Sequence, residues 1–145
     1  MAKEELVKLL NQALELEHAA RIQYLSHAQI VDGINAEPII SRLEELAGDE
    51  KKHEDNFREL IGSYLGGVPS MRIAETHAAK TATEILETNL KDEMHAVDVY
   101  TGILDKIKAM KDELKYEYFQ LEHTVRHVIQ DEQEHISEIK LLLGK

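Results

Sequence analysis

The sequence has no cysteine, no tryptophan, only two prolines (Pro38 and Pro69) and seven glycines among 145 residues. Without cysteine there is no disulfide framework, no thiolate metal site and no thiol nucleophile, so any bound metal must rest on oxygen and nitrogen. With so little proline and glycine, long stretches contain nothing that breaks a helix, which predicts an all-α fold. Basic residues are also few: 17 Lys and Arg face 28 Asp and Glu, a formal net charge of −11. That balance excludes a nucleic-acid partner, whose phosphates are neutralised by Lys and Arg, and suits metal cations. No apolar run is long enough for a membrane span or a signal-peptide core, so the reading is a cytoplasmic protein with no membrane partner. The length fits one domain, residues 1–145, able to bury a core without disulfides.

Four segments carry an apolar stripe at the 3.6-residue helical period. Segment A, about residues 5–31, aligns Leu6, Leu10, Ala13, Leu14, Ala20, Tyr24, Ala28 and Val31, with Glu17 on the same stripe. Segment B runs from Pro38, expected at the first helical position, to about Leu65, with Leu43, Leu46, Ala47, Phe57, Leu60, Ile61 and Tyr64 flanking Glu50 and His53. Segment C, about 77–109, places Glu93 among Ala82, Leu86, Leu90, Val97, Tyr100, Leu104 and Ile107. Segment D, about 113–143, sets Glu132 and His135 among Leu121, Val125, Val128, Ile129, Ile136 and Ile139. Short polar links join A to B (Asp32-Gly33-Ile34-Asn35) and C to D (Lys111-Asp112), which predicts two antiparallel hairpins. Between B and C, Gly66-Gly67-Val68-Pro69-Ser70 opens a longer stretch, which predicts one crossover along an antiparallel four-helix bundle.

The hairpins repeat each other. Glu17 precedes a Glu50-x-x-His53, and Glu93 precedes a Glu132-x-x-His135. A tyrosine follows each lone glutamate by seven residues (Tyr24, Tyr100), and an aspartate precedes each Glu-x-x-His (Asp49, Asp131). Residues three apart share a helix face, so each Glu-x-x-His grips one ion through an oxygen and a nitrogen. Four carboxylates buried together repel and favour protonation, whereas two divalent ions balance them with both histidines neutral. The arrangement is one known for di-metal carboxylate bundles: a Glu from each of two helices and a Glu-x-x-His from each of the other two. Asp49 and Asp131 either accept the imidazole N–H across the bundle or stand as solvated helix charges. Tyr24 and Tyr100 are expected to hydrogen-bond a ligating carboxylate of the opposite half.

Through Glu-Leu-Glu-His-Ala-Ala-Arg-Ile-Gln-Tyr around Glu17, Asp-Glu-Lys-Lys-His at 49–53 and Asp-Glu-Gln-Glu-His at 131–135, the chain resembles the ferritin and bacterioferritin family over nearly its whole length. The resemblance implies Glu17 and His53 on one iron, Glu93 and His135 on the other, and Glu50 and Glu132 bridging. It implies a ferroxidase that oxidises Fe(II) with O2 or H2O2, with storage of ferric oxide in some members, a homo-oligomer as small as a dimer or as large as a shell, and Mn or Zn as substitute metals. The haem-ligating methionine of bacterioferritins is replaced by Lys51, so no haem is expected. Rubrerythrin-like peroxidases usually add a carboxylate three residues after the third-helix glutamate, where this chain has Ala96; a peroxidase or another non-storing di-iron oxidase is the alternative. Ten residues follow His135, so the short fifth helix of large ferritin shells is not expected within this sequence. His123 and His127, four apart, fall on the outer face as surface histidines, and His18, His27, His77 and His95 have no partner that sequence identifies.

Overall fold

The computed structural model describes residues 2–145. α1 (Ala2–Ala28) and α2 (Ala36–Glu59) form one antiparallel hairpin, and α3 (Ala82–Ala109) and α5 (Tyr118–Leu143) form the other; α4 (Lys111–Leu114) is a single turn between the latter two. The helices run in the order up, down, down, up. Lys106 near the end of α3 meets Glu5 at the start of α1, while Asn89 near the start of α3 meets His27 at the end of α1.

Local chemistry sets the helix ends. α1 carries Glu4 and Glu5 in its first turn, where negative charge complements the helix dipole. α2 starts at Ala36, two residues before Pro38; the proline still falls in the first turn, where a missing N–H breaks no intrahelical bond. α3 starts at Ala82, later than the expected 77, because the Thr81 hydroxyl caps it by accepting from the Glu84 amide at 3.1 Å. Segment D is likewise not one helix from 113. Lys115 takes φ +52°, which interrupts the helix, and a 3₁₀ turn (Lys115–Glu117) leads into α5. At its far end α5 stops at Gly144, whose φ of +76° few other residues adopt without strain.

α2 ends in a π turn (Leu60–Tyr64), after which residues 65–81 run without helix along the outer face of α1. Their contacts move steadily up α1. Val68 accepts from Asn11, Ser70 bonds Asn11 and Glu15, the Arg72 carbonyl meets His18, and the His77 amide donates to Gln23. Helical residues 7–27 span about 30 Å and extended residues 67–77 about 33 Å, so this strap is the right length to return the chain to the top of the bundle. It begins where Gly67 presses on Val7: an added Cβ would lie 2.7 and 2.9 Å from the two Val7 methyls. Gly67→Ala is expected to lift the strap and cost about 1–3 kcal/mol. A thermal melt checks this, and an unchanged melting temperature would mean that the contact is not holding the strap.

The core divides into two apolar layers. One gathers Leu6, Leu10, Phe57, Ile107, Leu121 and their neighbours; the other gathers Leu43, Leu46, Ile85, Leu86, Ile139 and theirs. Between them, at mid-height, lies a layer of buried charge. Water is thereby kept from both ends of that layer, and the low-dielectric surroundings magnify every charge interaction within it. Among the described residues, no helix is long and apolar enough to cross a membrane.

Candidate metal centre

The polar layer consists of Glu17 from α1, Glu50 and His53 from α2, Glu93 from α3, and Glu132 and His135 from α5. None of the six is more than 2% exposed. They fall into two groups of four, Glu17–Glu50–His53–Glu132 and Glu50–Glu93–Glu132–His135, each with ligand atoms within 4.8 Å of one another. Glu50 and Glu132 belong to both groups. Both histidines turn Nδ1 inward: His53 Nδ1 lies 2.9 Å from Glu132, 3.4 Å from Glu50 and 3.5 Å from Glu17. His135 Nδ1 lies 3.3 Å from Glu50, 3.3 Å from Glu93 and 3.7 Å from Glu132.

Both Nε2 atoms turn outward to an aspartate of the opposite hairpin, His53 to Asp131 at 2.9 Å and His135 to Asp49 at 3.1 Å. The tyrosines cross over in the same way. The Tyr24 hydroxyl donates to Glu93 and the Tyr100 hydroxyl to Glu17, each at 2.7 Å. Each hairpin thus orients the inward-facing groups of its counterpart. In the neutral ring, an Nε2–H held by a carboxylate leaves Nδ1 as the unprotonated, inward-facing nitrogen, the tautomer a metal ligand needs.

The groups perturb one another strongly. Burial pushes the carboxyls of Glu50 and Glu132 well above the usual range, and the charges of neighbouring glutamates push them further. Burial alone disfavours a proton on His53, but the carboxylates of Glu132, Glu17 and Glu50 outweigh it and raise its pKa. His135 is likewise disfavoured by burial yet raised to about 9, chiefly by Glu93. Glu93 is held below the usual range, because the adjoining Glu132 carboxyl and the hydrogen bonds from His135 and Tyr24 overcome its burial. Burial and the adjacent carboxylates hold both tyrosine hydroxyls protonated, so they remain donors.

Among the described residues, five buried side-chain atoms find no hydrogen-bond partner: Glu17 Oε2, Glu50 Oε1, His53 Nδ1 and both oxygens of Glu132. Several approach each other closely without the angle of a hydrogen bond. Buried polar atoms are nearly always paired, and a cluster of orphans aimed at one point is what a cation would satisfy. A set of four carboxylates and two imidazoles suits iron, manganese or zinc, and no softer ligand competes.

A cleft of about 450 Å³ leads from the surface to this layer. It opens between α1 and α3, where Ala19, Ala20 and Ala96 leave room, and it reaches Glu50, Glu93 and both tyrosines; Glu75, His77, Asp92 and His95 stand about its mouth.

A family model described as ferritin-like domain matches residues 7–145. The chain belongs to the ferritin-like domain family. This ferritin-like chain is 34% identical over 91 residues to the bacterial ferritin of Pseudomonas aeruginosa, a match that covers 63% of the chain and 58% of that relative's length. A solved ferritin-like, diiron-carboxylate protein of Bacillus anthracis superimposes with a TM-score of 0.90 at 26% identity, covering 99% of this chain and 98% of that one. The dodecameric thioferritin of Bacteroides fragilis, a bacterioferritin-related protein, shares the fold: TM-score 0.85 and 22% identity, over 98% of this chain and 86% of its own.

Several partners of this ferritin-like layer escape a reading of sequence alone. Glu54 is buried and ionised, because Arg21 and Arg58 outweigh the cost of its burial, and the His18 ring joins Arg58 to the Arg72 carbonyl. Gln23, His27 and Asn89 form a second buried network that reaches Asp92 and His77 at the cleft mouth. A signal was present: Glu54 lies four residues after Glu50 and three before Phe57, and Asn89 four before Glu93, so both sit on buried stripes. Their partners, brought in by the strap and by other helices, carry no local mark. His123 and His127 are exposed, as their helix phase indicates.

Proposed function

We propose that the protein is a di-iron ferroxidase that oxidises Fe(II) with O2 or H2O2, works in the cytoplasm as a homo-oligomer, and folds as one ferritin-like domain over residues 1–145. The observation that carries this reading is the pair of four-residue groups sharing Glu50 and Glu132. Glu17 and His53 would hold one iron and Glu93 and His135 the other, with Glu50 and Glu132 available to both. Two Fe(II) ions bound there supply one electron each to the oxidant. The protein's part is to balance their charge with four carboxylates, to fix both imidazole tautomers through Asp49 and Asp131, and to keep Glu17 and Glu93 oriented through Tyr100 and Tyr24. The dodecamer named for the Bacteroides fragilis relative supports assembly of copies.

The cleft favours a second reading. Its volume is that of a site for a small organic molecule, far more than a diatomic gas requires, which fits a non-storing di-iron oxidase or a rubrerythrin-like peroxidase using the same residues. Aerobic Fe(II) addition to metal-free protein, followed by ferric absorbance, particle sizing and an iron count, separates the two. Many more than two irons per chain on a large assembly establishes storage. Oxidation that halts near two irons per chain favours the second reading and directs the search to an organic or peroxide substrate, and oxidation no faster than in buffer overturns both.

A further inference from the structure

The buried centre leaves two histidines of α5 unused. His123 and His127 are four residues apart and therefore stand one turn apart on one face. Both are exposed, and their rings lie within 9° of parallel with centroids 6.1 Å apart. One turn further is Asp131, whose Oδ2 accepts from His53 at 2.9 Å and lies 3.9 Å from His127 Nε2. A surface histidine and a histidine of the buried layer thus face the same carboxylate oxygen.

Neutral imidazole has one donor and one acceptor nitrogen. At 3.9 Å His127 Nε2 is not hydrogen-bonded to Asp131, but a small rotation of the exposed ring brings its N–H onto that carboxylate and leaves Nδ1 to bind an ion, as metal-bound histidines ordinarily do. His123 adds a second imidazole from the preceding turn, and because both rings are exposed, convergence on one ion needs only side-chain rotation. The cation facing them is Arg126, with Nη2 3.3 Å from His123 Nδ1; Glu122 holds and offsets its guanidinium at 2.9 Å. Since Asp131 bridges α5 to α2, the pair lies near the seam opposite the cleft, which opens between α1 and α3.

We propose that His123 and His127 bind a divalent transition-metal cation on the exposed face of α5, linked to the buried layer through His127, Asp131 and His53. Two imidazoles without a thiolate suit Zn(II), Ni(II), Co(II) or Fe(II), with water completing the coordination. The two proposed ligands, His123 and His127, lie outside the proposed ferroxidase centre, and their binding of the cation holds whether or not that centre oxidises iron.

Zn(II) titration of the metal-free protein by calorimetry, with imidazole ¹⁵N spectra recorded in parallel, tests it. The expected result is an equivalent per chain beyond those of the buried layer, which shifts the His123 and His127 resonances. His127→Ala and His123→Ala should each weaken that equivalent by at least about tenfold, with the tighter binding unchanged. His95→Ala should leave it intact. No extra equivalent in the unaltered protein, or the same affinity in His127→Ala, overturns the proposal. Loss of the tight binding alone would instead count against the buried centre, so the two readings fail separately.

Discussion

Glu50→Gln should make the metal-free protein melt at a higher temperature while reducing Fe(II) oxidation to the rate in buffer, and Glu132→Gln should do the same. The two effects have one cause. Glu50 and Glu132 are fully buried, their carboxyls are pushed upward by burial and by adjacent glutamates, and Glu50 Oε1 and both Glu132 oxygens have no hydrogen-bond partner. Replacing either by a neutral amide of the same shape removes a repelling group from a low-dielectric layer. Each kcal/mol recovered should raise the melting temperature by about 2–4 °C. The same change removes one of the two carboxylates common to both groups of four, so neither group keeps its full set of candidate ligands. Glu50→Ala and Glu132→Ala should abolish oxidation as well, although the cavity they leave offsets the gain in stability. Stopped-flow ferric absorbance and calorimetric melts check these outcomes. Full oxidation rate in either glutamine variant would sink the ferroxidase assignment, and a lower apo melting temperature would show that the carboxylates are not in conflict.

The second large effect is on pH dependence. Metal-free protein should lose stability as pH rises from about 6 to 9, and Zn(II), which does no redox chemistry, should cancel that slope. His135 titrates near its ordinary 6.5 in the unfolded chain and at about 9 in the fold. Below the lower value both states hold the proton and the contribution is fully present. Between the two values only the folded state holds it, and stability drains away until the folded pKa is passed. That single group is worth on the order of 3 kcal/mol. His53 shifts in the same direction, and so do Glu50 and Glu132, whose raised carboxyls keep protons that the unfolded chain has released. Glu93 is shifted downward, but its opposite contribution falls below the ordinary carboxyl range and outside this window. Metal ligands must be deprotonated, so loading expels these protons and favours higher pH. Melting temperatures with and without Zn(II) should therefore converge toward acid and separate toward base. A flat apo profile, or curves that coincide at pH 9, would mean that these six residues do not hold the ion.

Much of this was legible along the chain because helices are local. The spacing of Leu6, Leu10, Ala13 and Leu14, or of Val125, Val128, Ile129 and Ile139, marks a buried stripe whatever the partner, and all of these residues are buried. Glu17, Glu50, His53, Glu93, Glu132 and His135 interrupt those stripes where an apolar residue belongs, so their convergence could be read before any distance was known. The helix ends are less legible. Thr81 caps α3 five residues later than periodicity indicates, and Lys115 breaks what reads as one helix.

Sequence by itself determined four amphipathic helices, two hairpins that repeat each other, and six carboxylate and imidazole side chains on the inward stripes, because each of these depends only on residues within a few turns. Tertiary structure alone decided which hairpin serves which. Tyr24 meets Glu93, Tyr100 meets Glu17, His53 meets Asp131 and His135 meets Asp49, all between residues more than sixty positions apart. It also decided that the strap from Gly67 to His77 lies along α1, that Glu54 and Asn89 find partners inside, and that a cleft between α1 and α3 reaches the charged layer. Such pairings are set by how four helices pack and how far the strap extends, and no spacing within a single helix encodes them.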